Sequence, residues 1–343
     1  MTKKDIGIYP WVENEEEKGD THQILFKAEL QKKGYHVKKL IYKKGFPISN
    51  AINQQIDVLI LDWVHSFYTS PRFFFTVIKS ILGIIDLATF DKKGIVIIWN
   101  MHNLSRHDGK YKVIERFCFK YLARKVNFIR VFDKSHVQKV AKYLNIGIEK
   151  IIFIPQGPYF FKERTKVNLN DRYRIPTSKR ILLFFGNVRK GKGIMEFIKS
   201  FLEVKSEKWV LLIAGKSIEQ DLSGGIKDHA NSNENIIFDD RFIPDSEVEC
   251  YFQQTDRLVL PYINTLNSGV LLLAKAFGTP VLANENFHEL VSGNDMVGDL
   301  FDPRVLSQLL DLISFPTGKE AIFSNNTIYS WEEVISDFEK LFN

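Results

Sequence analysis

Cysteine is scarce: Cys118 and Cys250 are the only two in 343 residues, and they do not stand at CxxC spacing. That excludes a disulfide framework and a structural zinc finger, and it fits a reducing compartment. The opening MTKKDIGIYPW lacks the apolar stretch and small-residue cleavage site of a secretory signal, so a cytoplasmic protein is expected. Long uncharged apolar runs are missing as well. The most apolar stretch, Pro71–Phe90, is interrupted by Arg72, Lys79 and Asp86, which makes it too charged for a transmembrane span. No GxGxxG follows the first candidate strand, as an NAD-dependent oxidoreductase would require, and no P-loop ending in Lys-Ser/Thr occurs. No recognised nucleic-acid-binding motif is present, so no nucleic acid is expected as a partner.

What is there is a chain long enough for two cores of ordinary size, with 45% hydrophobic and 26% charged residues, the composition of a soluble globular protein. The net charge of +6 conceals an asymmetry. Residues 1–165 carry 28 Lys and Arg against 16 Asp and Glu, a net of +12, whereas the remainder carries 19 against 25, a net of −6. A basic half beside an acidic half points to an anionic partner for the first, or simply to a lysine-rich solvated surface.

Short β-branched runs alternate with apolar-periodic segments throughout, the mark of βα units on parallel sheets. Strands are expected at 6–11, 36–42, 58–63, 94–100, 128–132 and 151–155, then at 180–185, 209–214, 236–239, 257–261, 279–283 and 299–301. Helices are expected near 23–33, 135–144, 194–205, 245–254, 268–276 and 305–314. Residues 161–179 are polar, lack periodicity and end in a Pro-Thr-Ser cluster, so they read as a linker. The organisation expected is therefore residues 1–160, a linker over 161–179, a second domain over 180–325 and a final helix over 326–343. That last helix carries apolar spacing at Trp331, Val334, Ile335 and Phe338 behind an N-cap serine.

In the second half, LFFGNVRKGKG stands at a strand-to-helix turn. Glycines there let backbone approach a phosphate, the following helix offers free N–H groups, and Arg189 with Lys192 can neutralise a diphosphate. A second such turn lies in LVLPYINTLNSGVLLLAKAFGTPVLA, where small hydroxyl and amide residues feed a helix N-terminus. Together these strings resemble the bacterial group 1 (family-4-like) glycosyltransferases of the GT-B fold. The first is similar to that family's GxxRxxKG loop and the second to its PYxxxxSGxxxxAxxxGxPV segment, over nearly all of Arg180–Phe301. The resemblance implies an α/β fold of two Rossmann-like doubly wound parallel-sheet domains facing a cleft, with a UDP- or GDP-linked sugar in the C-terminal domain. It implies donor contacts from Gly186, Asn187, Arg189, Lys192, Asn267, Ser268 and Gly269. One departure stands out. Where many retaining members carry two glutamates eight positions apart, this chain has Thr265 and Leu273, and leucine cannot bond ribose hydroxyls; that puts retention in question and points to an inverting transfer.

In the first half, IIWNMHNLSRHD resembles the same family's WtvHNlxxHe segment through Trp99, His102, Asn103 and His107, with Asp108 as the acidic partner. An inverting transfer needs a base for the acceptor hydroxyl. His102, Asp108 and Asp20, the last in the first strand-to-helix loop beside His22, are the catalytic candidates. Asp20 followed by threonine also fits a helix cap. Gln156-Gly157-Pro158-Tyr159 resembles the family's iPhGxY element at the domain junction. No metal or other cofactor is expected, because two cations and helix N-termini can balance a diphosphate, and no isolated DxD triplet stands in a donor-loop position.

The function expected is transfer of a hexose to a lipid-linked or oligosaccharide acceptor in surface-polysaccharide synthesis. The alternative is a catalytically inactive subunit that stabilises an active partner. Pro71–Phe90 and the basic amphipathic segment Lys110–Lys125, with the +12 half, suggest peripheral attachment to anionic lipid on the cytoplasmic face, while a core helix is the plain reading of the former. A homo-oligomer stays open.

Overall fold

The computed structural model describes residues 4–12, 21–41, 43, 45–91, 94–104, 110–159, 165–263, 268–288, 290–291, 293–313 and 329–342. The chain divides into two compact units, 1–158 with 329–343, and 159–328.

The first unit runs β1 (Asp5–Tyr9), α1 (Thr21–Lys32), β2 (His36–Lys39), α2 (Pro47–Ile52), β3 (Val58–Leu61), α3 (His65–Tyr68), α4 (Phe73–Thr89), β4 (Val96–Asn100), α5 (Lys112–Lys125), β5 (Phe128–Val131), α6 (His136–Leu144) and β6 (Ile151–Phe153). The second contains α7 (Leu169–Tyr173), β7 (Arg180–Phe185), α8 (Ile194–Val204), β8 (Trp209–Ala214), α9 (Gln220–Ser232), β9 (Ile236–Asp239), α10 (Asp245–Gln253), β10 (Arg257–Leu260), α11 (Gly269–Phe277), β11 (Val281–Asn284), β12 (Met296–Gly298) and α12 (Pro303–Leu312). The last helix, α13 (Trp331–Glu339), belongs to the first unit.

Both sheets are parallel throughout, as continuous apolar strands covered on both faces require. Val58–Leu61 and Trp209–Ala214 are buried at every position. The first sheet has the order β2-β1-β3-β4-β5-β6 and the second β12-β11-β10-β7-β8-β9. Chain direction therefore reverses across the sheet at the β1/β3 pair in the first unit and at the β7/β10 pair in the second. Ligands of open α/β sheets bind beyond the carboxyl ends of the strands at such a switch point.

Local signals account for several boundaries. Ser330 and Glu333 form a reciprocal capping box that starts α13, which buries Trp331, Val334, Ile335 and Phe338 in the first core beside Phe26. Within the stretch read as a linker, α7 is capped by Asn168. Its Leu169, with Val167 and Ile175, is buried in the second core, and Leu169 N–H donates to Gln254 Oε1 at 2.9 Å. Among the described residues no helix is long and apolar enough to cross a membrane.

Candidate functional site

At the first switch point, Asp62 directly follows β3 and is 3% exposed. Three side chains meet its carboxylate. Gln23, from the first turn of α1, donates Nε2 to Oδ2 at 2.8 Å, His102 beyond β4 places Nε2 2.9 Å from Oδ1, and Asn100 adds a hydrogen bond. Gln23 is itself fixed, donating to the Pro10 carbonyl at 3.0 Å and accepting the Val12 N–H at 2.9 Å. Burial raises the Asp62 carboxyl, and the bonds from His102, Gln23 and Asn100 outweigh it, leaving the group below its ordinary value. A carboxylate accepts only, so the imidazole donates Nε2–H to it. The ring is held in plane by Trp63, stacked at 4.9 Å, and by Phe132 at the same centroid distance. A small cavity lined by Trp63, His65, Trp99, Asn100, His102 and Asn103 opens beside it.

Behind this pair, Arg130 of β5 is wholly buried and donates to the Ile154 and Pro155 carbonyls at 3.0 and 2.6 Å. Burial brings its guanidinium down to about 9, against the pull of Asp62. His22 lies on Phe26 and Trp331; burial, then the Arg130 and His102 charges, push its imidazole well below the usual range. His22 is thus neutral at physiological pH.

At the second switch point, the turn after β7 holds Gly186, Asn187, Arg189 and Lys192. Gly193 closes it with φ +66°, and a Cβ there would fall 2.0 Å from the Pro261 carbonyl oxygen. Only glycine lets this turn lie against the end of β10. Ile263 N–H donates to the Gly191 carbonyl at 3.4 Å and ties the two loops together. Ser268 caps α11 through Leu271 N–H at 3.2 Å, so the Gly269 end of that helix stands beside the turn. The ideal Cβ position of Gly186 is 3.5 Å from Val270 Cγ2 and 3.9 Å from Lys192 Nζ.

Lys192 is 9% exposed, with its ammonium 5.0 Å from the Tyr262 ring centroid and 5.6 Å from that of Phe184. Burial, then the like charge of Arg189, bring it down to about 7. Arg189 is also lowered by burial, with Tyr262 and Glu219 opposing. Burial lifts the Tyr262 phenol to about 12, so that ring stays neutral and offers Lys192 a π face rather than a counter-charge. A buried cation beside a second cation is costly unless an anion joins them.

Of the residues singled out from sequence, His102 lies at the first switch point, and Gly186, Asn187, Arg189, Lys192, Ser268 and Gly269 at the second. Asp20, Asp108 and Asn267, with His107 and Thr265, lie outside the described residues. Leu273 is buried in the second core. Asp62 and Gln23 were not anticipated. The signal for Asp62 was a carboxylate immediately after the four-residue apolar run of β3, a strand read two residues too long. Among the described residues, no group of three His, Cys, Asp or Glu side chains is placed to hold a metal ion.

Comparison with known proteins agrees with this layout. Residues 179–313 match the sequence model of the family described as "Glycosyl transferases group 1", so this part of the second unit is similar to that family. Among solved structures, the Anabaena HepE protein in complex with UDP and glucose is similar at TM-score 0.70 and 12% identity, over 98% of both chains. Sucrose-phosphate synthase from Thermosynechococcus elongatus is similar at TM-score 0.69 and 13% identity, over 99% of this chain and 95% of that one. The catalytic domain of Arabidopsis thaliana starch synthase IV, bound to ADP and acarbose, follows at 0.66 and 12%, over 100% and 99%. These likenesses establish the GT-B fold. No protein of curated function matches the sequence.

Proposed function

We propose that the chain is a glycosyltransferase that moves a hexose from a UDP- or GDP-linked donor to a hydroxyl of a lipid-linked or oligosaccharide acceptor, with inversion, at the cytoplasmic face of an anionic membrane. The observation that carries this is Lys192, a buried ammonium whose charged neighbour among the described residues is a second cation, Arg189, set at a switch point within the segment that matches a glycosyltransferase family. A diphosphate supplies the missing counter-charge, with Arg189 and the α11 N-terminus completing its binding. UDP, glucose and ADP in the similar structures agree with a nucleotide-sugar donor.

In this reading the acceptor oxygen attacks the anomeric carbon, the bond from that carbon to the β-phosphate oxygen breaks, and the acceptor proton passes to the His102 imidazole. Asp62 stabilises the imidazolium that forms. Arg189 and Lys192 hold the negative charge that develops on the leaving diphosphate, so no metal is required. Asp20 and Asp108 remain the rival bases.

Calorimetric titration with UDP, GDP and ADP, followed by donor hydrolysis assays on the sugar nucleotides of whichever binds, tests the reading. Micromolar binding of one nucleotide with slow hydrolysis of its sugar conjugate is expected. Absence of both would instead favour an inactive partner subunit.

A further inference from the structure

Helix α4 is built inside out. At 3.6 residues per turn, Phe74, Ile78, Ile81 and Ile85 fall on one line, and they are 69%, 38%, 53% and 43% exposed. The opposite line buries Thr76, Ser80, Gly83 and Leu87, with Asp86 beside them. Each inward polar group has a partner. Thr76 Oγ1 accepts the Ser70 N–H at 3.0 Å, and Ser80 Oγ donates to the Tyr68 carbonyl at 2.9 Å. The Asp86 carboxylate accepts the Ile48 and Ser49 N–H groups at 2.9 and 3.0 Å, capping α2. Gly83 lies against the Tyr68 ring, where a Cβ would come within 2.6 Å. These contacts fix the rotation of α4 with its apolar stripe outward, the reverse of a helix that buries its apolar face in the core. A continuous exposed stripe of this kind marks a surface that something apolar covers.

Charge identifies the cover. Helix α5 packs beside α4, the two joined at their N-terminal ends by the Phe73 and Tyr111 rings at 5.7 Å, and Val113 and Phe117 on α5 are exposed. Across residues 72–90 and 110–125 the only carboxylates are Asp86 and Glu115, both buried, while Arg72, Lys110, Lys112, Arg116 and Arg124 are exposed. A second copy placed by a two-fold axis would set this basic rim against itself. An anionic bilayer accepts both parts, the stripe at the acyl boundary and the basic side chains among the headgroups. Spanning is opposed by charge: Lys79 and Asp86 lie within the 17 residues of α4, and no described helix is long and apolar enough to cross a membrane.

We propose that Phe74, Ile78, Ile81 and Ile85 of α4, with Val113 and Phe117 of α5, insert in the plane of an anionic lipid surface. This names the face that makes the membrane contact proposed above, and it does not depend on the transfer chemistry. The test is co-sedimentation of the full chain with phosphatidylcholine vesicles, with and without phosphatidylglycerol. Wild type is expected to pellet with the anionic vesicles. Phe74→Gln/Ile81→Gln/Ile85→Gln should bind more than about 100-fold more weakly, and Lys112→Gln/Arg124→Gln about 25-fold more weakly. The replaced side chains are solvent-exposed, so melting temperatures should hold. Wild type left in the supernatant with both vesicles, or a triple variant that pellets like wild type, overturns the proposal. So does a dimer without vesicles that the triple variant makes monomeric, since the stripe would then serve a second copy. Nucleotide titration of the same samples separates the two readings: vesicle binding without nucleotide affinity would sink the donor site alone.

Discussion

The two switch points solve the same topological problem with opposite electrostatics. At β1/β3 the charge is met from within: the Asp62 carboxylate is surrounded by donors from Gln23, Asn100 and His102, with Arg130 behind. At β7/β10 the charge is left over, since among the described residues the one charged group acting on Lys192 is another cation, Arg189, and its ammonium falls to about 7. A satisfied carboxylate–imidazole pair is a tool kept in shape, whereas an uncompensated buried cation is a receptor whose folding cost is recovered when an anion binds. On the proposed function, proton handling belongs to the first unit and diphosphate handling to the second.

The sharpest way to break that division is at Asp62 and His102. Replacing His102 by Ala should lower turnover by about 10²–10⁴-fold while donor affinity by calorimetry stays put. Asp62→Asn should lose nearly as much, because an amide no longer stabilises the imidazolium. Unchanged turnover in both would remove the pair from the chemistry.

Next in size is Lys192→Met, expected to weaken nucleotide binding by about 10–100-fold, the range of a charge-assisted hydrogen bond. Its melting temperature should be equal to or above wild type, because the replacement removes an uncompensated buried charge. A destabilised variant would mean that Lys192 serves the fold rather than a ligand.

The smallest effect concerns protons. Lys192 titrates near 7 when folded, against 10.5 ordinarily, and only the ammonium form binds phosphate well. Nucleotide binding at pH 8 should therefore take up close to one proton, read from titrations in buffers of different ionisation enthalpy, and Lys192→Met should abolish the uptake. The same shift fixes a stability trend. Between about pH 7 and 10.5 the unfolded chain holds the extra proton, so this group's contribution to stability rises with pH across that window.

Much of this was legible in the residues. The apolar runs of β7 and β8 begin and end where the β-branched pattern does, since both faces of these strands are buried and periodicity has no competitor; the edge strand β9 also falls where the pattern does. Helix α9 was not anticipated, because Gly224 and Gly225 behind Ser223 lower its helix propensity; burial of Leu222 and Ile226 overrides that preference. Strand β12 lies at 296–298 rather than 299–301, for it is a three-residue edge strand with little pattern to read. The direction of the α4 stripe was beyond sequence reading. It depends on where Thr76, Ser80 and Asp86 find partners, and the partners of Ser80 and Asp86 belong to other helices.

Helix α13 has a consequence for the order of assembly. It follows the second unit in the chain yet fills the core of the first unit, where Trp331 lies on Phe26 and His22 and donates to the Pro158 carbonyl at 2.8 Å. At about 5–20 residues per second on the ribosome, residues 159–328 take roughly 10–35 s to appear. For that interval the nascent first unit exposes the apolar ledge of Phe26 and Leu30 that α13 later covers, and its switch point lacks a wall. Completion of the first unit is thereby timed to follow synthesis of the second, and premature release of the chain leaves the first unit without the helix that completes its core.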